Sequence, residues 1–375
     1  MPGLLNDVDP DGLLEYSVVF TDRSLNHMSQ AFQQVMRNIS ATLKQVYNAQ
    51  AVAVVPGGGT YAMEAVARQL GTGRKCLVIR NGWFSFRWSQ IFEMGHIPSA
   101  EIVLKARRTS DAAESPFVPA PIDEVVATIR AEQPAVVFAP HVETSAGMLL
   151  PDNYLKAVAD AVHEVGGLFV LDCIASGTLW VDMQAVGIDV LISAPQKGWS
   201  ATPCAGLVMM NDAAEARVNE TTSTSFAADL KKWLQIMQAY ENGGHAYHAT
   251  MPTDGLRKLE ETMQEMQQRG FATLKQQQLE LGARVRELLT GAGYKSVAGA
   301  GFQASGVVVS YTRDSDIQTG KKFISLGLQI AAGVPLQCDE PANFKTFRVG
   351  LFGLDKLADI GRTVNSLAAA LTAVA

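Results

Sequence analysis

The sequence predicts an α/β fold in which a mostly parallel sheet is flanked by helices. Short apolar runs such as Ala51–Val55, Leu168–Leu171 and Val190–Ile192 have the unbroken hydrophobic character of parallel strands buried on both faces. Amphipathic segments at 28–48 and 153–165 separate such runs, and their apolar residues recur at helical spacing. Connections of this length favour right-handed crossovers between parallel strands.

The remaining elements follow from the same two periodicities. A helical run at 255–290 carries the chain away from the sheet, and the last 80 or so residues alternate strands and helices on a smaller scale. We therefore expect an N-terminal arm at 1–20, a large domain at 21–268 and a small α+β domain at 269–375. Further strands are predicted at 76–80, 135–139, 207–210, 306–311 and 346–349, and further helices at 60–70, 123–132, 317–327 and 355–373.

Composition excludes several classes of protein. A net charge of −6 provides no basic footprint for nucleic acid, and no apolar run reaches the ~20 residues that a membrane span needs. The N-terminus lacks the basic and apolar regions of a secretory signal, so the expected location is the cytoplasm. The cysteines form no CxxC pair and are expected to be reduced, buried thiols without a metal. They are Cys76, Cys173, Cys204 and Cys338.

Two polar residues follow neighbouring predicted strands. Asp172 ends the run 168–171, and Lys197 comes shortly after the run 190–192. In open α/β sheets, ligands bind outside the carboxyl ends of the strands, so both side chains should enter one crevice. Pyridoxal phosphate chemistry needs such a pair, because the amine forms a Schiff base with the cofactor aldehyde and the carboxylate faces the pyridinium nitrogen.

Three other segments bear on a ligand. The turn Pro56–Gly59 between a strand and a helix could hold an anion, although a bare glycine turn is an equal alternative. The segment NGWFSFRWSQ could cover a flat ring, but core packing is the better interpretation for at least two of its four aromatic residues. The polar loop 141–147 includes His141, which could contact a ligand, although a lone histidine is more often a structural partner. His245 and His248 lack neighbouring ligands at metal spacing.

One arginine interrupts an apolar strand near the C-terminus. Arg348 lies in the segment FRVGLFG, and a buried guanidinium needs an anionic partner. A substrate carboxylate is one candidate, and an internal salt bridge is the other.

The order of these parts resembles the class V branch of fold-type I pyridoxal-phosphate enzymes, from about residue 30 to the C-terminus. It is most similar to the alanine–glyoxylate and serine–pyruvate aminotransferases. The segments that carry the resemblance are GGGTYAMEA, NGWFSFR, HVETSAG, the strand-end aspartate, the QKG lysine, YHATMP and the late arginine.

The resemblance implies a role for each matching residue. Lys197 would carry the Schiff base, Asp172 would face the pyridinium nitrogen, and Arg348 would bind the substrate carboxylate. The cofactor ring would stack on Phe84, with Trp83 as the competitor. The other implied cofactor contacts are Gly58, Gly59, Thr60 and Gln196 for the phosphate, Thr144 and Ser176 nearby, and Tyr247 and Thr250 from the second subunit of a homodimer.

The implied activity is a ping-pong transfer of an amino group from a small amino acid to a 2-oxo acid such as pyruvate or glyoxylate. One departure concerns the substrate: the family opens with a Gly-Pro-rich segment, whereas this chain has EYSVVFTDRSLNHMS. A pyridoxal-phosphate lyase or a cysteine desulfurase is the alternative on the same fold, with Cys338 as the sole candidate nucleophile. A regulatory protein that kept the fold without catalysis would have no need of the aspartate, the lysine and the phosphate turn together.

Overall fold

The structure is a computed structural model that describes residues 4–374, and its centre is a seven-stranded sheet flanked by helices. Each sheet strand is a nearly continuous buried run, as expected for strands covered on both faces. The strands in chain order are β1 (Ala51–Pro56), β2 (Lys75–Arg80), β3 (Ala100–Lys105), β4 (Arg107–Arg108), β5 (Phe117–Val118), β6 (Val136–Pro140), β7 (Val142–Glu143), β8 (Met148–Leu149), β9 (Leu168–Asp172), β10 (Val190–Ser193), β11 (Ala205–Met210), β12 (Val307–Tyr311), β13 (Ala331–Ala332) and β14 (Thr346–Gly350).

The helices lie between the strands and close the C-terminus. The end of α2 widens into a π-helix at Ala67–Gly71. The helices are α1 (Gln30–Tyr47), α2 (Gly59–Val66), α3 (Trp83–Gly95), α4 (Ile122–Glu132), α5 (Asp152–Glu164), α6 (Met183–Val186), α7 (Asp212–Glu220), α8 (Leu230–Glu241), α9 (Thr253–Arg269), α10 (Phe271–Gly291), α11 (Ser315–Gln318), α12 (Lys321–Ile324), α13 (Leu354–Ala358) and α14 (Ile360–Val374).

The main sheet has the strand order β1-β11-β10-β9-β6-β2-β3, and β11 alone runs antiparallel to its neighbours. The register of the parallel strands places Asp172 opposite Ile192 on one side and Pro140 on the other. The carboxyl ends of β6, β9 and β10 therefore emerge side by side, which is where an open α/β sheet forms its binding crevice.

A second sheet, β12-β14-β13, lies in the C-terminal part of the chain. A small apolar cluster joins it to the loops of the main sheet, with Phe117 and Met148 on one side and Val297 and Val309 on the other. The backbone N–H of Phe117 also donates to the Val297 carbonyl at 2.7 Å. These contacts bring β14, and with it Arg348, against the carboxyl ends of the main strands.

The predicted α/β fold with a mostly parallel sheet is confirmed, but three predicted helices differ in detail. The run 255–290 is two helices separated by Gly270, whose φ of 87° is left-handed. The segment 317–327 contains two short helices around Gly320, which also has a positive φ. The last helix is interrupted at Asp359, whose Oδ1 accepts from the Arg362 N–H and so begins a new helix.

Two chain-wide expectations bear on the environment of the protein. All four cysteines are free and buried, as predicted. None of the helices within residues 4–374 combines the length and apolar character that a bilayer crossing requires.

Candidate active site

Asp172 is a buried carboxylate at the end of β9, with only 8% of its surface exposed. Its Oδ1 accepts a hydrogen bond from the Ile174 N–H at 2.9 Å, and no residue within 4–374 donates to Oδ2. Burial raises the pKa of Asp172 to about 6, and the nearby Glu143 carboxylate acts in the same direction. The strand therefore presents a carboxylate that lacks a cationic partner of its own.

Lys197 lies on the turn that follows β10, next to the strand that ends at Asp172. The turn approaches the loop after β9 so closely that a Cβ on Gly198 would lie 2.1 Å from the Gly177 carbonyl oxygen. The ammonium Nζ lies 5.0 Å from the centre of the Phe352 ring. Burial lowers the pKa of Lys197, and the charge of Arg348 lowers it further, which favours the nucleophilic amine.

The glycine turn between β1 and α2 closes against the same crevice. A Cβ on Gly59 would lie 2.5 Å from Ile174 Cδ1, so a larger residue here would displace the Ile174 side chain of the loop after β9. A Cβ on Gly58, in contrast, would meet no atom within 4 Å. Thr60 is exposed in the first turn of α2, where the helix dipole favours negative charge.

Glu143 is a fully buried carboxylate to which the sequence interpretation assigned no role. It accepts hydrogen bonds from the N–H groups of Phe84 and Ser85, at 3.2 and 2.9 Å, and so caps the N-terminus of α3. The hydroxyls of Ser85 and Ser145 donate to it at 2.7 and 2.6 Å, and the Ser145 N–H at 3.1 Å. This carboxylate thus fastens the helix that bears Phe84 to the loop that bears Thr144.

The aromatic segment is the start of helix α3; at least two of its four aromatic residues were expected in the core, but only Trp88 is buried and Trp83, Phe84 and Phe86 are half-buried. Trp88 is completely buried, 4.5 Å from Phe138 between ring centres. Phe84 is half-buried and has two guanidinium groups beside its ring, with Cζ–centroid distances of 5.2 Å for Arg87 and 5.5 Å for Arg348. Phe84 therefore borders the crevice near the two cations, a position that suits stacking on a flat ligand ring.

The polar loop after β6 is organised by two hydrogen-bonded groups. His141 Nδ1 lies 2.7 Å from the Ser176 hydroxyl, and both side chains are buried. Burial lowers the pKa of His141 to about 4, so the imidazole is neutral at physiological pH. Thr144 lies in the same loop and is 9% exposed. His141 and Ser176 thus form a neutral pair that supports the loop after β9.

Arg348 on β14 faces this crevice without a salt bridge to any residue within 4–374. Its Nε donates to the Ala332 carbonyl at 2.8 Å. Burial lowers the pKa of Arg348, while the Glu143 carboxylate opposes that shift. The alternative of an internal ion pair is therefore not observed in the described part of the chain, and the guanidinium retains free donors.

Three predicted cofactor contacts are exposed in the single chain. Gln196 is exposed on the turn before Lys197. Tyr247 and Thr250 are exposed and bond to each other, with 3.1 Å between their hydroxyl oxygens. The Tyr247 ring contacts His27 at 5.5 Å between centres rather than any residue of the crevice named above. No group of three metal-ligating side chains occurs among the described residues.

Arg87, like Glu143, had no assigned role in the sequence interpretation. Its Nη1 donates to the Thr60 hydroxyl at 2.9 Å. Arg87 follows Phe84 by three residues, and residues at this spacing share one face of a helix. Interpreting NGWFSFR as the start of a helix would have placed both side chains together, whereas the contact of Glu143 with α3 has no sequence signal.

The donor set fits a phosphorylated pyridine aldehyde. Lys197 provides an amine of lowered pKa, Asp172 provides a buried carboxylate without a cation, and the turn at Gly58 provides backbone beside open space. These three groups match an aldehyde, a protonated ring nitrogen and a phosphate, respectively. Such a donor set is typical of enzymes in which a lysine holds a carbonyl cofactor.

Comparison with known proteins identifies the family. The profile of the family "Aminotransferase class-V" matches residues 13–333, and the chain belongs to this family. The alanine–glyoxylate aminotransferase of Rattus norvegicus is 27% identical over 279 residues, which cover 73% of this chain and 64% of the rat protein. The chain thus aligns with less than two thirds of the length of that relative.

Two further comparisons cover more of each chain. The 2-aminoethylphosphonate–pyruvate transaminase of Paraburkholderia phymatum is 27% identical over 353 residues, or 89% of each protein. The crystal structure of an alanine–glyoxylate aminotransferase from Nostoc sp. superimposes with a TM-score of 0.78 at 21% identity, covering 93% of this chain and 89% of that one. The structural likeness confirms the fold.

Proposed function

We propose that this protein is a pyridoxal 5′-phosphate-dependent aminotransferase that moves an amino group from a small amino acid to a 2-oxo acid in a ping-pong reaction. The observation that carries the proposal is the pairing of the Lys197 amine with the unpartnered Asp172 carboxylate at adjacent strand ends of a class V chain. The names of the relatives combine alanine with glyoxylate and 2-aminoethylphosphonate with pyruvate, which supports an acceptor of the pyruvate or glyoxylate type.

The cofactor contacts in this proposal divide into two ends. At the ring end, Asp172 would accept a hydrogen bond from the protonated pyridine nitrogen and Phe84 would stack on the ring, with Thr144 and Ser176 nearby. At the phosphate end, backbone N–H groups of the glycine turn bind oxygen atoms. The proposed phosphate contacts are Gly58, Gly59, Thr60 and Gln196 of one subunit, with Tyr247 and Thr250 of its partner.

Each catalytic residue has one task in this mechanism. When bound, pyridoxal phosphate supplies an aldehyde that condenses with amines and a ring that withdraws electrons from the α-carbon. The Lys197 amine takes the proton from the α-carbon of the amino acid. Its lowered pKa raises the fraction of neutral amine, which is the form that can accept this proton. The free Nη donors of Arg348 bind the α-carboxylate and orient the Cα–H bond toward Lys197.

The proposed assembly is a homodimer in which residues of one chain complete the site of the other. Tyr247 is 53% exposed, and the Thr250 hydroxyl beside it bonds only to Tyr247 among the described residues. Several large apolar side chains of the arm, including Leu13, Tyr16 and Val18, are also largely exposed, which is the composition expected of a contact surface. We also propose a cytoplasmic location, supported by the four free thiols.

The cysteine desulfurase alternative fits the structure less well. It requires an accessible and reactive thiol, and Cys338 is the only candidate that the sequence offered. The Cys338 side chain is 4% exposed, and its Sγ lies 3.4 Å from the Arg80 carbonyl oxygen. Burial raises the pKa of the thiol to about 12, and Glu143 acts in the same direction, so the thiolate is disfavoured.

Replacement of Lys197 with alanine tests the function. We expect Lys197→Ala to abolish amino transfer and the visible absorbance that a lysine-linked cofactor produces, because the proposed Schiff base forms on this amine. Lys156→Ala, which removes an exposed lysine of α5, is the matched control and should retain both signals. Full transfer by the Lys197 variant would disprove the proposal, as would a wild-type protein that takes up no pyridoxal phosphate.

A further inference from the structure

Arg87 is a half-buried cation beside the crevice that forms no salt bridge among residues 4–374. None of the ion pairs in that part of the chain includes it, and its recorded hydrogen bond goes to the neutral Thr60 hydroxyl. A guanidinium has five N–H donors, so most of them remain available. Burying part of a charge without a partner is costly, and such residues commonly mark sites where an anion binds.

The position of Arg87 relates it to the reaction centre. The guanidinium carbon lies 5.2 Å from the centre of the Phe84 ring, on which the cofactor is proposed to stack. The charge of Arg87 lowers the pKa of both Asp172 and Lys197, so its field reaches both catalytic groups. Arg348, the other cation beside Phe84, is held by the Ala332 carbonyl on a different strand.

A purely structural role for Arg87 explains these contacts less well. A fastening between α3 and α2 could be made by a neutral side chain, because Thr60 needs a single donor. A second guanidinium near Arg348 instead carries an electrostatic cost, since the two cations repel each other. This repulsion is relieved when the pocket holds an anion, and a dianion relieves it most.

We propose that Arg87 binds a phosphate or phosphonate dianion together with Thr60. The planar guanidinium fork suits two oxygens of such a group, and the threonine hydroxyl and the first turn of α2 lie beside it. The inference rests on the proposed function, because it assumes a cofactor in this crevice. Two sources of the dianion share this chemistry: the phosphate of the cofactor and a phosphonate at the far end of the amino donor.

The test compares wild type, Arg87→Gln, Arg87→Lys and Arg284→Gln after removal of bound cofactor. Arg284 is an exposed arginine on α10 that pairs with Glu280, so its variant matches the charge change away from the crevice. Absorbance titrations give the Kd for pyridoxal phosphate and for pyridoxal, which lacks the phosphate. Steady-state assays give KM for alanine and for 2-aminoethylphosphonate as donors.

If the cofactor supplies the dianion, Arg87→Gln raises the Kd for pyridoxal phosphate by about tenfold or more and the Kd for pyridoxal by less than about twofold. If the donor supplies it, cofactor affinity is unchanged and KM rises by a similar factor for 2-aminoethylphosphonate but not for alanine. Arg87→Lys, which keeps the charge without the fork, should recover part of the loss in either case, and Arg284→Gln should behave as wild type.

The inference is overturned if Arg87→Gln changes the Kd for pyridoxal phosphate and for pyridoxal by the same factor and also changes the KM for the two donors by the same factor. Circular dichroism and thermal unfolding verify that the variants are folded, and Arg87→Lys provides the answer should Arg87→Gln not fold. A wild-type protein that binds neither pyridoxal phosphate nor pyridoxal would contradict the proposed function itself, which is a different result from equal affinities of wild type and variant.

Discussion

The crevice at the carboxyl ends of β6, β9 and β10 and the loop 242–252 differ in how far a single chain completes them. In the crevice, buried polar groups are held by other parts of the same chain: Glu143 receives five hydrogen bonds, and His141 pairs with Ser176. In the loop, Tyr247 and Thr250 are exposed and bond to each other.

This difference indicates which functions belong to one chain and which require two. A buried network is rigid and holds the helix of Phe84 against the loop of Thr144 without outside help. Exposed hydroxyls have no such constraint and become useful only when another surface approaches them. We therefore expect substitutions in the crevice to alter the reaction rate and the stability of the chain. Substitutions in the loop should alter the affinity for the cofactor that is bound in the neighbouring subunit of the proposed dimer.

The largest effect is expected from Asp172→Asn. Loss of the carboxylate opposite the ring nitrogen should lower kcat by on the order of 10²–10³, the usual cost of removing one preorganised electrostatic contact. Without cofactor, the variant should nevertheless be more stable than wild type at about pH 8, by up to about 3 kcal/mol. The reason is that burying the ionised carboxylate costs free energy, as the rise in the pKa of Asp172 to about 6 indicates, whereas the neutral amide has no such cost.

The pH dependence of that stabilisation follows from the direction of the shift. Folded Asp172 binds its proton more tightly than the unfolded chain does, so its ionisation costs stability as the pH rises from about 4 through about 6. The advantage of Asp172→Asn should therefore be small near pH 4 and complete above about pH 7, as measured by thermal unfolding. Asp160→Asn, at an exposed position of α5, is the control. Equal stability of wild type and Asp172→Asn at pH 8 would contradict the account.

An intermediate effect is expected from Glu143→Gln. The amide nitrogen must face groups that donate to the carboxylate, so at least one charge-assisted bond is lost, at a cost of about 2 kcal/mol in unfolding free energy. Because Glu143 fastens the helix of Phe84 to the loop of Thr144, cofactor affinity should also fall by about tenfold.

The measurements for Glu143→Gln are thermal unfolding and an absorbance titration with pyridoxal phosphate. Glu164→Gln, which removes an exposed partner of Arg130, is the matched control and should change stability by less than about 1 kcal/mol. Equal unfolding temperatures of Glu143→Gln and Glu164→Gln would contradict a stabilising role for the buried carboxylate.

The smallest effect is expected from Tyr247→Phe, which removes one neutral hydrogen bond and should weaken cofactor binding by about two- to tenfold. The variant is most informative in mixed dimers that combine one Tyr247→Phe subunit with one Lys197→Ala subunit. If Tyr247 acts across the interface, the site that keeps Lys197 also receives an intact tyrosine from the other subunit and should bind cofactor with wild-type affinity. Affinity equal to that of the Tyr247→Phe dimer would place the tyrosine in its own subunit.

Local patterns predicted the strands well because a parallel strand buried on both faces is apolar throughout, as Leu168–Asp172 and Val190–Ser193 are. They failed where one glycine decides the outcome, since Gly270 and Gly320 divide segments whose flanking residues favour one helix. Helix α3 was hidden because its aromatic residues occupy nearly every face, so no helical stripe marks it.

The sequence was enough to place the proposed catalytic pair, Asp172 and Lys197, at one edge of the sheet, since the ends of two consecutive apolar runs meet there in a parallel sheet whatever the details of packing. The tertiary structure alone decided how the charges of the crevice are balanced. Glu143 reaches Phe84 across 59 residues of chain, and Arg87 reaches Thr60 across 27. Contacts of this kind depend on how helices and loops pack, which periodicity along the chain does not specify. The position of the proposed pair was therefore predictable, whereas its electrostatic environment was not.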